Sequence, residues 1–176
     1  MNELTGSTNE DQNEVYLSDG GHFENLAIYE LVRRRCRVIV SCDAGADPCC
    51  ACNDLATAIE KCRVDFHTQI EIDLREIFPA LELFPGDERP RASKTPFTVG
   101  RIRYPDGSKG TLIYVKPSLN ADLPQDVLAY ARTAEALPHQ STMDQFFDEA
   151  QFESYRALGF ACASAALDKI AETVNG

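Results

Sequence analysis

Two acids stand where chemistry could be done: Asp19, at the head of DGGHFENL, and Asp43, in SCDAGADP. Asp19 follows the apolar run VYLS and precedes two glycines and a helical pattern. A carboxylate in that setting is either a turn residue, since Asp and Gly are ordinary turn formers, or half of a proton-transferring pair. Gly20 and Gly21 would allow the chain to turn through positive φ and let a ligand or another backbone come close. Asp43 ends the next apolar run and could face the same site as a supporting group. His22 follows Asp19 by three residues, a spacing that does not assemble a Ser-His-Asp triad, so it reads as a packing or hydrogen-bonding group at the helix start. His67 and His139 have no ligand-like neighbours in sequence.

The elements that must position these acids alternate in type. VYLS reads as a short strand; Phe23, Leu26, Ala27, Leu31 and Val32 then fall at helical spacing, and RVIVS makes a continuous apolar run. A run of that kind suits a parallel strand covered on both faces, which makes a βαβ unit. Asn53 is a candidate cap for a helix in which Leu55, Ile59, Cys62 and Phe66 recur, and Ile70 to Leu74 alternates as a strand. The pattern predicts an α/β fold of the doubly wound kind. Residues 78–96 are rich in proline and charge, an irregular connection. FTVGRIRY and GTLIYVK then flank PDGSKG, whose Asp106-Gly107 predicts a hairpin. Carboxyl-terminal helices follow: one over Pro124 to Arg132, and a longer one starting near a capping box at Thr142 and Gln145, with Gly159 a candidate bend. On that longer helix Phe146, Phe147, Ala150 and Tyr155 are expected to pack inward.

Composition narrows the function classes. The formal net charge of −11 argues against nucleic-acid binding, because a phosphate backbone demands a basic face. No run approaches the roughly 20 apolar residues of a membrane-crossing helix, and residues 1–14 read as a polar, flexible lead-in with no signal peptide, so this chain is expected in the cytoplasm. Its seven cysteines are an odd number, which reads as reduced thiols. PCCACND holds one CxxC, Cys49 to Cys52, without the second knuckle a structural zinc site needs, so no metal and no cofactor is expected. Thiol or metal use by Cys49, Cys50 and Cys52 is the weaker reading of that turn. RRRCR could meet anionic lipid headgroups, but a solvated helix carboxyl end, where the dipole favours cations, is the better reading.

The stretch YLSDGGHFENLAIYELVRRRCRVIVSCDAGADP resembles the aspartate segment of patatin-like phospholipases, which share their fold with the cytosolic phospholipases. The likeness rests on the acid-Gly-Gly turn, HFENL, the RRRC helix end and the SCDAGADP strand end. GTLIYVKPSL and PHQSTMDQFFDEAQFESYRALG are similar to the carboxyl-terminal part of bacterial patatin-like proteins, so the resemblance spans about Val15 to Gly159. It implies that residues 15–176 are the carboxyl-terminal part of a parallel-sheet acyl hydrolase domain. It also implies a Ser-Asp dyad acting on a lipid or other acyl ester, with Asp19 as the acid and Gly20, Gly21, His22 and Asp43 shaping the site.

The pattern departs from that family in one respect. The nucleophile belongs in a GxSxG turn with an upstream oxyanion loop, and none of the nine serines has glycines two residues away on both sides. The expectation is a chain that supplies only the Asp and is inactive alone, with an exposed sheet edge prone to self-association. A longer protein with membrane-associated parts is compatible with this reading. The alternative is a non-catalytic α/β interaction module in which Asp19 only shapes a turn.

Overall fold

The computed structural model describes residues 19–86 and 90–175. The lead-in at 1–14 and the strand expected over VYLS lie outside the described residues. Asp19 opens a 3-10 turn, Gly20–His22, and α1 spans Ile28–Arg33. The expected helix is therefore shortened: Leu26 and Ala27 precede it, and Ala27 has φ 57°. Glu24 explains the late start, because its carboxylate accepts the amides of Leu26 and Tyr29 in place of a cap at position 27. At the far end Arg33 and Arg34 both pair with Glu30, whose carboxyl they hold down at about 2, and Arg35 pairs with Asp106.

β1 (Val38–Cys42), α2 (Asn53–Phe66) and β2 (Gln69–Glu71) follow, then β3 (Leu81–Glu82) and β4 (Arg91–Ala92), a two-strand ladder inside the expected irregular connection. β5 (Phe97–Arg103) and β6 (Lys109–Val115) form the predicted hairpin around Asp106-Gly107, with Gly107 at φ 84° and Asp106 Oδ1 accepting the amide and hydroxyl of Ser108. The main sheet has the order β1-β6-β5-β2. β1 pairs with β6 in parallel; β5 is antiparallel to both β6 and β2, so β1, β6 and β2 share one direction. The sheet is thus mixed, with β5 reversed because a short hairpin can join only antiparallel strands.

Helices cover both faces. Leu112 and Tyr114 of β6, with Ile39, Ile70 and Ile102, pack under α1 and α2, burying Ile28, Val32, Leu55 and Cys62. Ile113 and Val115 point the other way, toward α3 (Gln125–Thr133) and α4 (Glu149–Asn175), whose Val127, Leu158, Cys162 and Ala166 close a second core. This three-layer arrangement is an α/β fold. β1 differs from the expected doubly covered strand: Ile39 is buried but Val40 is 40% exposed, since β1 is the edge and pairs only with β6 among the described residues.

The capping box at Thr142 and Gln145 does not start a helix. Ser141 and Asp144 bond the amides of Met143 and Phe146 in local turns, and α4 begins seven residues after Thr142, behind Asp148, whose carboxylate accepts the Gln151 amide at 2.7 Å. Consequently Phe146 lies 93% exposed and Ala150 is exposed, rather than facing inward; Phe147 rests on the half-buried Tyr155 ring at 5.5 Å. α4 runs through Gly159 as one helix. Asn53 is the first residue of α2 rather than its cap, which is Cys52.

Gly110 starts the inner run of β6 where the chain crosses the backbone of residues 36 and 37. A Cβ there would lie 3.1 Å from Cys36 O and 3.2 Å from Arg37 O, and both carbonyls are engaged, by the Tyr104 hydroxyl and the Thr111 amide. Gly110→Ala is expected to lower stability by about 1–3 kcal/mol through overpacking, read from the urea midpoint. An unchanged midpoint would show that these loops yield freely.

Candidate functional site

Because β1 and β6 run in parallel with Cys42 opposite Val115, the next residue of each, Asp43 and Lys116, leaves the sheet at the same carboxyl end. Ligand sites of open α/β sheets lie there. The ladder continues one step further through Asp43 N–H donating to Val115 O at 2.9 Å. Asp43, 3% exposed, accepts from Lys116 Nζ at 2.9 Å and from the Tyr114 hydroxyl, and its other oxygen accepts the Gly45 amide at 3.0 Å. Lys116 Nζ also stands 3.6 Å from Asp47 Oδ2. Asp47 in turn accepts the amides of Ala51 and Cys52 at 2.8 and 2.9 Å, holding a turn in which Cys50 and Cys52 both have φ 50°. Such left-handed residues persist only when their surroundings dictate them.

The electrostatics are those of a buried cation between two carboxylates. Burial alone pulls the Lys116 ammonium toward neutrality, but the hydrogen bond and charge of Asp43 and the charge of Asp47 outweigh it, leaving its pKa above the usual lysine value. Burial opposes ionisation of Asp47 too; the two backbone amides and then Lys116 reverse this and lower its pKa. Tyr114 is raised by burial and by its bond to Asp43, so it stays a neutral donor. Burial likewise raises the thiol of Cys52. Among the described residues no group of three or more His, Cys, Asp or Glu is arranged to hold a metal ion.

This cluster floors a cleft of about 180 Å³ whose walls include Gly45, Ala46, Asn53 and Asp54. A larger hollow of about 270 Å³ lies where α1 and α2 end, among Arg35, Asp65, His67 and Tyr104. It contains none of the acids singled out for chemistry, so the smaller cleft is the candidate.

Asp19 does not line that cleft; its turn is linked to the cleft wall through Asn25, whose Nδ2 donates to Asp54 Oδ2 at 3.2 Å. Its Oδ1 accepts the Gly21 amide at 2.9 Å, and its Oδ2 accepts no hydrogen bond among the described residues. Neither glycine turns through positive φ: the described positive-φ glycines are Gly86 and Gly107. The 3-10 turn needs only ordinary angles. At Gly21 the neighbour is close instead: a Cβ there would sit 2.5 Å from Asn25 Oδ1 and push that side chain aside, whereas one on Gly20 would meet nothing within 4 Å. His22 is exposed, and its backbone amide donates to Asp19 O at 3.2 Å. Phe23 anchors the turn to α2, its ring edge-on to Tyr29 at 4.8 Å and under Lys61 Nζ at 3.6 Å.

Of the expected site residues, the structure thus places Asp43 at the heart of a buried network, Asp19, Gly20 and Gly21 in one turn outside it, and His22 in solvent. Lys116, Tyr114, Asp47 and His139 were missed. Two acids four apart in DAGAD, and a lysine ending an apolar strand in YVK, were the available signals.

His139 closes the network, with Nδ1 accepting the Asp47 amide at 3.4 Å. Burial, then the charge of Lys116, lowers its pKa. The unfolded chain therefore binds this proton more readily, so the stabilisation is complete above the unfolded value of about 6.5 and declines as pH falls through it toward the folded value. The urea midpoint should fall between pH 7 and pH 5, and His139→Gln should flatten that slope. An equal slope in the variant would remove His139 from the network.

Comparison with family models, with curated proteins and with solved structures finds no match to this chain. The site stands on its geometry.

Proposed function

We propose that this chain carries the acid of a Ser-Asp dyad in a lipid acyl hydrolase of the patatin-like kind, with Asp19 as the base. The observation that carries the reading is the state of Asp19: one carboxylate oxygen tethered by Gly21 N–H, the other free among the described residues, in an exposed turn whose neighbour Asn25 bonds to Asp54 of the cleft wall. A carboxylate so held accepts the serine proton as the hydroxyl oxygen attacks the ester carbonyl, and returns it to the leaving alcohol. Water then hydrolyses the acyl-enzyme by the same route.

The nucleophile is placed outside these 176 residues, on a GxSxG segment of a longer polypeptide. Ser41, Ser93 and Ser118 are buried and donate to the carbonyls of Leu26, Ile77 and Lys116, and Ser108 donates to Asp106. The same reading gives the chain an acyl ester as substrate, no nucleic-acid partner, and self-association along the open edge of β1. Cytoplasmic residence fits the seven free cysteines, and among the described residues no helix is long and apolar enough to cross a membrane.

The test is hydrolysis of a short-chain chromogenic ester, with serine-directed phosphonate labelling read by intact mass. The 176-residue chain is expected to be silent, and the longer polypeptide to be labelled and to turn over in an Asp19-dependent way. Turnover by the longer polypeptide that survives Asp19→Asn would sink the reading. It would favour the alternative, an interaction module, for which the Asp19–Gly21 bond is a turn and nothing more.

A further inference from the structure

The Asp19 turn and the Lys116 cluster are joined by a continuous line of contacts. Asn25 stands between them, with Oδ1 so close to Gly21 that a Cβ there would have to displace it, and with Nδ2 donating to Asp54 Oδ2 at 3.2 Å. Asp54 lies in the first turn of α2 and forms one wall of the cleft. Its Oδ2 would be 3.5 Å from a Cβ on Gly45, and that same Cβ position is 3.2 Å from Asp43 Oδ1, to which the Gly45 amide donates. Asp43 is bonded to Lys116 and Tyr114. Gly21 and Gly45 thus lie close against side chains of this line, Asn25 at one and Asp43 and Asp54 at the other, and the Asn25–Asp54 bond spans the gap between them.

From this arrangement we infer that Asn25 and Asp54 are positioning residues for Asp19, coupling its turn to the buried Lys116–Asp43–Asp47 cluster. Asp19 itself is exposed, and its one side-chain bond is to the amide two residues on, so its own turn supplies little rigidity. The cluster supplies what the turn lacks. Lys116 and Asp43 are buried, Asp47 is partly so, and all three are paired; the cluster fixes the backbone from Asp43 to Cys52, which carries Asp54 into place at the start of α2. A base must be held close to its productive geometry to act, so a side chain that touches no substrate acts here by limiting where Asp19 can go. Asp54 belongs to the cleft wall and Asn25 to the Asp19 loop, and either one removed breaks the same link.

This inference builds on the reading of Asp19 as the dyad acid, and its test is made first on the 176-residue chain, where that reading plays no part. Asn25→Ala, Asp54→Ala and Asp54→Asn are compared by NMR for amide exchange at Gly21 and for the Asp19 carboxyl resonance, with Leu112 at mid-sheet as the internal reference. Loss of a hydrogen bond that holds the turn is expected to speed Gly21 exchange by about tenfold in both alanine variants, while Asp54→Asn, which keeps an acceptor, stays within about twofold of the parent. Leu112 exchange should be unchanged throughout. If Asp54→Ala unfolds α2, Asn25→Ala, which lies outside any helix, decides the matter. Unchanged Gly21 exchange and an unmoved Asp19 resonance in Asn25→Ala would overturn the inference, as would Asp54→Asn behaving like Asp54→Ala. In the longer polypeptide the same variants should lower kcat with KM nearly constant. A response at Gly21 without any change in kcat would leave the link standing and count against Asp19 as the base.

Discussion

Lys116→Met is expected to destabilise the chain by about 3–5 kcal/mol, the cost of leaving buried carboxylates without their cation. The ammonium is 4% exposed, 2.9 Å from Asp43 and 3.6 Å from Asp47, and methionine fills the stem's volume without replacing the charge. Asp43 would keep the Tyr114 hydroxyl and the Gly45 amide, but neither neutralises it. Because the loss is one of compensation, it should be partly recovered by removing the charge left behind. Lys116→Met combined with Asp43→Asn is expected to regain at least half of the lost stability, since a neutral carboxamide keeps one oxygen to accept the Gly45 amide and turns its NH2 toward the Tyr114 hydroxyl oxygen, to which it can donate. Urea unfolding of the parent, both single variants and the pair closes the cycle. A single-variant loss under about 1 kcal/mol would mean that water reaches the cluster and that it cannot stiffen the loop above it.

Local chemistry carried the sequence reading where a single turn or helix decided the outcome. Asp106-Gly107 demanded a hairpin, and Leu55, Ala58 and Cys62 bury one stripe of α2, close to the expected periodicity. The same local logic failed at Thr142 and Gln145, because Asp148 and Gln151 three residues apart offered an equally good start, and packing of Ser154 and Leu158 against the second core chose the later one. Strand direction was harder to read. Alternation at Ile70 says that one face is buried, but not that its neighbour is β5 running the opposite way. The site was half legible for a related reason. Asp43 announced itself by ending an apolar strand, whereas its cation lies 73 positions on, and His139 meets Asp47 across 92. Pairings at such separation are set by topology, and nothing near either residue names the other. Asn25 was read only as part of a motif, and its bond to Asp54, 29 positions away, gives it a different role.

Asp19→Asn is the change expected to have the largest effect on activity, a loss of about 10²–10⁴ in kcat for the longer polypeptide, the usual worth of a positioned general base. The fold should hardly notice. Asparagine is as much at home as aspartate at the head of such a turn, and its carboxamide oxygen can accept the Gly21 amide that Asp19 Oδ1 accepts at 2.9 Å. What the carboxamide cannot do is take a proton from a serine. Asp19→Ala removes the base and the turn contact together, so it should show the same loss of turnover plus a fall in stability of about 0.5–1 kcal/mol. The two variants therefore separate the roles that the sequence left open. Equal activity loss with unequal stability assigns Asp19 to proton transfer, and because that interaction is made only as the serine attacks, kcat and kcat/KM should fall together. Equal stability loss in both variants with turnover intact would make Asp19 a turn residue, and its second carboxylate oxygen would have no part in the chemistry.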